Sequence, residues 1–326
     1  MKKNRQIRKM VILAMGLLVI TASLWSPPKV AASAGDFPDL NASPPLVFPC
    51  PEEITVLEST PPIIRDETPG RYTGNGPYSY STFQLPTGIS TGRATVYYPT
   101  GSRAVAPFSG LVYCPPYSGT QSMLAAWGPF FASHGIILVT FDTRTSFDSV
   151  TSRANQQRII LDTLKEENTR SASPLYGKLA TDRLGAMGWS MGGGATWINS
   201  AQYAGLKTAM TLAGHNLSAL SSDSRGRNTK CPTLIMNGAL DTTYLGGLGQ
   251  SSGVYNNIPA GIPKVLYEVS TAGHFSWSSP TSANSNVAAI ALAFQKTFLD
   301  GDTRWAQYIS RPLTGVATWR TANIPN

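Results

Sequence analysis

The sequence predicts a doubly wound α/β fold, in which helices cover both faces of a mostly parallel sheet. From about residue 80, short apolar or β-branched runs alternate with longer helical patterns. Strands separated by helices pair in parallel through right-handed crossovers. The run 136–141 is continuously apolar, which is typical of a strand buried on both faces. The active site of such a fold lies beyond the carboxyl ends of the strands.

In the first half of the predicted domain, the predicted strands and helices alternate along the chain. The run 93–98 is β-branched and aromatic, and 108–114 is apolar, so both predict strands. The pattern over 121–134 predicts a helix that ends at a glycine. The strand 136–141 comes next, and an amphipathic helix over 149–167 follows it.

The second half continues in the same way. A short strand at 183–189 leads directly into a helix at 191–203. Three more strands and a final helix are predicted at 206–212, 232–237, 265–269 and 287–299.

Two segments precede this domain, which we place at 76–326. Residues 1–34 predict a cleaved secretion signal, with a basic start, an uncharged apolar stretch and the small residues Ala32-Ser33-Ala34. The apolar stretch, Met10 to Trp25, is shorter than the ~20 residues of a permanent membrane anchor, which is the alternative. Residues 35–75 are rich in proline, which disfavours helices and central strands, and they predict an extended arm.

Charge and cysteine content exclude some functions. The net charge is +8, but six of the 26 basic residues lie in the predicted signal, which has no acidic residue, so the remainder is near +2. That value indicates no nucleic-acid partner. The three cysteines allow at most one internal disulfide. Cys114 is predicted to be a buried thiol, and Cys50 and Cys231 are the pair that could bond.

A nucleophile motif lies between the predicted strand 183–189 and the helix 191–203. The sequence Gly188-x-Ser190-x-Gly192 matches the sharp strand-to-helix turn that raises a serine hydroxyl above the sheet of an α/β-hydrolase. Such a turn needs small neighbours, and glycines provide them. The alternative is a glycine-rich turn that holds a serine by chance. We predict that Ser190 is the nucleophile of a serine hydrolase.

The histidines identify the general base by elimination, because a serine hydroxyl needs one. In this fold the order along the chain is serine, acid, histidine. His134 precedes Ser190 and is expected to be structural. No acidic residue lies between Ser190 and His215, which therefore also fails on order. His274 remains as the predicted base.

Three acidic residues lie between Ser190 and His274. Asp223 lies in a polar loop, and Glu268 lies inside a predicted strand. Asp241 comes four residues after the strand 232–237, in the kind of loop that holds the acid in this fold. The predicted triad is Ser190, Asp241 and His274, in which Asp241 fixes the tautomer of the imidazole.

The oxyanion hole is predicted to consist of two backbone N–H groups. One belongs to Met191, directly after the nucleophile, and the other to the loop after the strand 108–114. In that loop Pro115 and Pro116 have no N–H, so Tyr117 is the first possible donor. Its ring could also form a wall of the acyl pocket. The alternative for Tyr117 is a tyrosine in a surface turn.

Several segments of the chain resemble the bacterial cutinase and poly(ethylene terephthalate) hydrolase family. They are Thr95 to Pro99, Pro116 to Ser118 with Gln121, Trp127 to Pro129, Ala132 to Gly135, Ser152-Arg153 with Gln156-Gln157, Gly185 to Gly194, and Asp302 to Arg304. The resemblance implies that Tyr117 and Met191 form the oxyanion hole and that Trp189 lines the substrate cleft. It also implies an open groove without a lid or cofactor, which cleaves esters.

The chain also departs from this family. Ala213-Gly214-His215 stands where the family has a segment ending in the tryptophan thought to grip aromatic acyl units. We therefore expect a preference for aliphatic or short-chain substrates. His215 could bind substrate in the cleft, or it could be a polar loop residue. Gly238 and Ser276 occupy positions where some members have cysteines.

Together these observations predict a secreted carboxylic ester hydrolase that forms an acyl-enzyme and acts on polyesters or short-chain acyl esters. We expect an extracellular monomer, with the periplasm as the alternative location. After signal cleavage it would have no membrane anchor, and we assign it no metal ligand and no cofactor. Two other functions stay open, an amidase or peptidase with the same triad, and a non-catalytic surface-binding protein.

Overall fold

The structure, a computed structural model, describes residues 61–86, 88, 91–216, 221–242 and 248–326. The predicted signal, Cys50 and residues 35–60 of the predicted arm lie outside the described residues. In the described part of the chain, none of the helices combines the length and the apolar character that crossing a bilayer requires.

Within the described residues, nine strands form one mixed, mostly parallel sheet in the order β1-β2-β4-β3-β5-β6-β7-β8-β9. The six strands from β4 to β8 in this order are parallel, and β1, β2 and β9 add antiparallel edges. Their bounds are β1 Ser79–Leu85, β2 Ala94–Thr100, β3 Phe108–Cys114, β4 Ile136–Phe141, β5 Leu179–Trp189, β6 Leu206–Leu212, β7 Thr233–Gly238, β8 Lys264–Val269 and β9 Val316–Ala322. The predicted doubly wound α/β-hydrolase fold is confirmed.

Five α-helices connect or follow these strands in the described chain. They are α1 Trp127–Ser133, α2 Val150–Glu167, α3 Met191–Gln202, α4 Leu248–Asn257 and α5 Ser285–Phe298. Alternation along β3 separates the two faces of the sheet. Leu111 and Tyr113 pack with side chains of α1 and α5, whereas Val112 and Cys114 pack with those of α2 and α3.

The structure corrects the predicted helix over 121–134. A 3₁₀ helix spans Gln121–Leu124, and α1 begins only at Trp127. The carboxylate of Asp142 accepts the Gln121 N–H (2.7 Å), which fixes the start of the 3₁₀ turn. A continuous helix would also place Pro129 in its interior, where the ring clashes with the preceding turn. In α1 the proline lies in the first turn, where it is tolerated.

The described part of the predicted arm, residues 61–75, packs against the domain. The Ile63 N–H donates to Asp300 O (2.7 Å), and the Arg65 guanidinium lies 4.8 Å from the centroid of the Phe108 ring. Glu67 is buried and lies 2.5 Å from His134 Nδ1. His134 is itself fully buried at the C-cap of α1, two residues before β4, in agreement with a structural role.

The two described cysteines are buried free thiols. Burial raises the pKa of Cys114 and of Cys231 to about 12 in each case. The thiolate is the reactive form, and at pH 8 it makes up roughly one part in 10⁴ of such a thiol.

We therefore expect iodoacetamide at pH 8 to leave Cys114 and Cys231 unmodified in the folded protein and to alkylate both in 6 M guanidinium chloride. Mass spectrometry of the tryptic peptides measures the modification. Alkylation of either residue in the folded protein at the rate of a small free thiol would contradict this expectation.

Candidate active site

Ser190 lies on a sharp turn between β5 and α3. It has a positive φ of 55°, which is strained for a residue with a side chain. The Ser190 N–H donates to Leu212 O (2.9 Å), and its carbonyl accepts the N–H groups of Gly194 (3.1 Å) and His215 (2.9 Å). These bonds join the turn to the end of β6 and to the loop after it. They hold the strained backbone in place and aim the hydroxyl away from the sheet.

The glycines of this turn are required by close backbone contacts. A Cβ atom on Gly188 would lie 2.1 Å from Gly192 O, and one on Gly192 would lie 2.1 Å from Cys114 O. Because β3 and β5 are paired with Cys114 opposite Gly188, the end of β3 lies directly beside the turn. The loop that carries Tyr117 and the turn that carries Ser190 therefore leave the same edge of the sheet.

The structure brings His274 and Asp241 to Ser190 from two further loops. His274 Nε2 lies 2.9 Å from Ser190 Oγ, and His274 Nδ1 lies 2.8 Å from Asp241 Oδ2. The imidazole is 9 % exposed and the Asp241 carboxylate is fully buried, so water competes little for their hydrogen bond. A carboxylate at Nδ1 favours the tautomer with hydrogen there and leaves Nε2 to accept the serine proton.

The two other acidic residues considered from the sequence lie elsewhere. Asp223 accepts hydrogen bonds from Gln202 and Asn228, both at 2.6 Å. Glu268, inside β8, accepts the Thr318 hydroxyl (2.7 Å) on the neighbouring edge strand.

The loops that carry Asp241 and His274 are joined by backbone hydrogen bonds. The Leu240 N–H donates to Ala272 O (2.9 Å), and the Asp241 N–H turns back to Gly238 O (3.0 Å). A Cβ atom on Gly238 would lie 2.2 Å from Ala272 O, so this position needs glycine. Direct contact between these loops sets the separation of the carboxylate and the imidazole.

The loop with the predicted oxyanion donor follows β3. The Ser118 N–H donates to Ser146 O (2.8 Å) and the Gly119 N–H to Pro116 O (3.0 Å). Within residues 115–119, Tyr117 is the N–H donor for which no backbone hydrogen bond is described, and the residue is 49 % exposed. Met191 is the first residue of α3, where N–H groups have no partner within the helix. The start of α3 lies directly after Ser190 and favours a negative charge there. The oxyanion role of Tyr117 and Met191 stays a prediction.

Two predicted substrate-binding residues are largely buried. The Trp189 side chain is 1 % exposed, and its indole N–H donates to His274 O (2.8 Å), which supports the loop of the imidazole. His215 is 7 % exposed and contacts Ser190 through its backbone N–H. Contact of either side chain with substrate stays a prediction.

The sequence reasoning missed two exposed aromatic residues beside the site. The Phe147 ring is 66 % exposed and packs edge-on against Tyr117, with centroids 5.4 Å apart. Phe275 is 80 % exposed and packs edge-on against His274 (5.3 Å). The position of Phe275, directly after the predicted base, was a usable signal. Phe147 had none, because its contact with Tyr117 spans 30 residues and arises only in the fold.

No group of three or more His, Cys, Asp or Glu side chains in the described part of the chain could hold a metal ion.

Comparison with known proteins gives a consistent picture. A family model described as PETase, PET hydrolase-like, matches residues 71–322. Cutinase est1 of Thermobifida alba is 34 % identical over 226 residues, which cover 69 % of this chain and 71 % of the cutinase. Bis(hydroxyethyl) terephthalate hydrolase of Streptomyces coelicolor is 32 % identical over 256 residues, 77 % of each chain. Cutinase cut1 of Thermobifida fusca is 34 % identical over 218 residues, 67 % of this chain and 64 % of the cutinase.

Proposed function

This chain belongs to the PET hydrolase-like family and is an ester hydrolase, and on that premise we propose that it is a secreted enzyme that works through a Ser190-His274-Asp241 acyl-enzyme mechanism. The observation that carries the proposal is the continuous hydrogen-bonded path from Ser190 Oγ through the imidazole to the buried carboxylate. Secretion rests on residues 1–34, with their basic start, apolar stretch and small-residue cleavage site.

The proposed first half-reaction acylates the serine. His274 Nε2 takes the proton of Ser190 as Oγ bonds to the ester carbonyl carbon, and Asp241 stabilises the resulting imidazolium. The carbonyl oxygen becomes an oxyanion that accepts hydrogen bonds from the Tyr117 and Met191 N–H groups. When the intermediate collapses, the bond to the alcohol oxygen breaks, and His274 returns the proton to the leaving alcohol.

The second half-reaction reverses these roles with water. His274 takes a proton from a water molecule as its oxygen bonds to the acyl carbon, and the oxyanion forms again in the same place. Collapse breaks the bond to Ser190 Oγ, which recovers its proton from His274. The carboxylic acid leaves and the free enzyme is restored.

A fluorophosphonate probe and a matched pair of substrates test this proposal. We expect the probe to label Ser190, identified by mass spectrometry, and we expect hydrolysis of a p-nitrophenyl acyl ester to exceed that of the matching p-nitroanilide. Faster cleavage of the anilide would favour the amidase or peptidase alternative. Absence of labelling and of turnover would favour a non-catalytic surface-binding protein.

We further propose that the substrates are polyesters or short-chain acyl esters. The similar proteins are named cutinases and a bis(hydroxyethyl) terephthalate hydrolase. The Phe275 ring packs on His274 and the Phe147 ring on Tyr117, and all three of Tyr117, Phe147 and Phe275 are exposed. Exposed apolar rings of this kind can bind apolar chains.

We expect this enzyme to release acid faster from an aliphatic polyester film than from a poly(ethylene terephthalate) film of equal area. The reason is that His215 stands where the family has the tryptophan that the resemblance assigns to aromatic acyl units, and its side chain is largely buried. Chromatography of the released products measures both rates, with the Ser190→Ala protein as the blank. Equal or faster release from the aromatic film would contradict the expectation.

A further inference from the structure

The first part of the loop that carries Tyr117 is anchored through a carbonyl group. Pro115 and Pro116 lack N–H groups, so the first part of the loop cannot donate backbone hydrogen bonds. The carbonyl of Pro115 instead accepts a hydrogen bond from Arg153 Nη1 (3.0 Å). The same carbonyl lies against the nucleophile turn, because a Cβ atom on Gly192 would lie 2.7 Å from it.

Arg153 lies on α2 and is fully buried. Besides Pro115 O, its guanidinium donates to Ser146 O (2.7 Å) and to Asp148 O (3.0 Å). A buried charge is costly unless it is hydrogen-bonded, and these backbone carbonyls supply the bonds. One side chain thus joins the loop after β3 to the loop after β4.

The contacts of Arg153 reach the backbone on both sides of Tyr117. On the N-terminal side it binds Pro115 O directly. On the C-terminal side it binds Ser146 O, which also accepts the Ser118 N–H (2.8 Å). The Tyr117 N–H lies between these two anchored groups, so the guanidinium restricts the direction in which that N–H points.

The loop after β4 is itself held firmly. Burial by itself would raise the pKa of the Asp148 carboxyl. Hydrogen bonds from Gln156 and Thr145 outweigh burial and hold that pKa below its usual value, so this carboxylate stays ionised. The same loop carries Phe147, whose ring packs on Tyr117. The ring contact and the guanidinium contacts therefore act on the same two loops.

We propose that Arg153 is a positioning residue for the oxyanion hole. This proposal rests on the ester hydrolase function proposed above. It acts through Pro115 and Ser146 to hold the Tyr117 N–H so that it points at the same oxyanion as the Met191 N–H. Misplacing a catalytic group by about 1 Å can cost ~100-fold in rate. Lysine cannot replace it, since one ammonium group on a flexible stem does not reproduce a planar fork that reaches three carbonyls.

The test compares Arg153→Lys with Arg183→Lys in the mature chain. Arg183 is a matched control, because it is also buried and donates to backbone carbonyls, those of Pro61, Leu299 and Asp300. It lies in β5, seven residues before Ser190, which follows the end of that strand roughly 20 Å away. The measurements are kcat and KM for p-nitrophenyl butyrate and the affinity for a boronic acid, whose adduct with serine imitates the tetrahedral intermediate.

We expect Arg153→Lys to lower kcat about tenfold or more, with KM within about twofold, and to weaken boronic acid binding by a similar factor. Arg183→Lys should keep kcat within about twofold, even if its Tm falls. All rates are divided by the number of serines that a fluorophosphonate titrates, so unfolded protein does not count. Arg153→Ala, assayed with and without methylguanidinium, provides a second variant, and added methylguanidinium should restore part of its kcat.

Three results would overturn the proposal: a wild-type kcat per titrated site in Arg153→Lys, a change confined to KM, or equal losses of kcat in the two lysine variants. A wild-type protein without esterase activity would instead overturn the proposed function, so the two failures are distinguishable.

Discussion

Replacing Ser190 with alanine is expected to lower kcat for a p-nitrophenyl acyl ester by on the order of 10⁶-fold. The substitution removes the hydroxyl that lies 2.9 Å from His274 Nε2, and no acyl-enzyme can then form. Initial rates at saturating substrate, measured with enough protein to detect the residual rate, provide the comparison. Binding of substrate should change little, because Oγ is a small part of the contact surface.

A matched control for this variant is Ser200→Ala in α3, the helix that follows Ser190. Ser200 is buried and its hydroxyl donates to Trp197 O (2.7 Å), away from the active site. It tests whether loss of a buried serine hydroxyl in this region lowers the activity through stability alone. Substantial turnover by Ser190→Ala, or an equal loss in both variants, would show that Ser190 is not the nucleophile.

The second large effect is expected for Asp241→Asn, with a loss of about 10⁴-fold in kcat. An asparagine amide can donate to His274 Nδ1, and this favours the tautomer with hydrogen on Nε2. That hydrogen would point at Ser190 Oγ, so the imidazole could not accept the serine proton. The fold should survive, since the side chains have the same shape. The rate at pH 8 measures the loss of kcat, and a crystal structure of the variant shows whether the fold is unchanged.

Asp223→Asn is the control for the choice of acid. Its carboxylate lies in a polar surface network with Gln202 and Asn228, so the substitution should leave kcat within about twofold. If Asp223→Asn lost activity and Asp241→Asn kept it, the acid would have been assigned to the wrong residue.

Much of the fold could be predicted from the sequence, because the central strands and helices have clear periodicities. The parallel strands from β3 to β8 and the helices α2, α3 and α5 fall close to their predicted positions. The edge strands β1 and β9 and the helix α4 were not predicted. Most residues of both edge strands are exposed or only partly buried. These strands therefore lack the apolar runs that mark a central strand.

The prediction of the site depended on the small number of histidines and acidic residues as much as on the Gly188-x-Ser190-x-Gly192 motif. With three histidines in the chain, and three acidic residues between Ser190 and His274, order alone left few choices. Elimination selected the same residues that the fold brings within hydrogen-bonding distance. Their assigned roles still depend on the variants described above.

The sequence by itself predicted most of the central elements and the candidate reactive residues, because a strand-to-helix turn, a helical period and the order of residue types are local or linear properties. Only the tertiary structure decided which loops contact each other. It joined Arg153 to Pro115, paired Phe147 with Tyr117 and placed the imidazole between Ser190 and Asp241. These contacts link residues 30 to 84 positions apart, and they form because parallel strands end at one edge of the sheet.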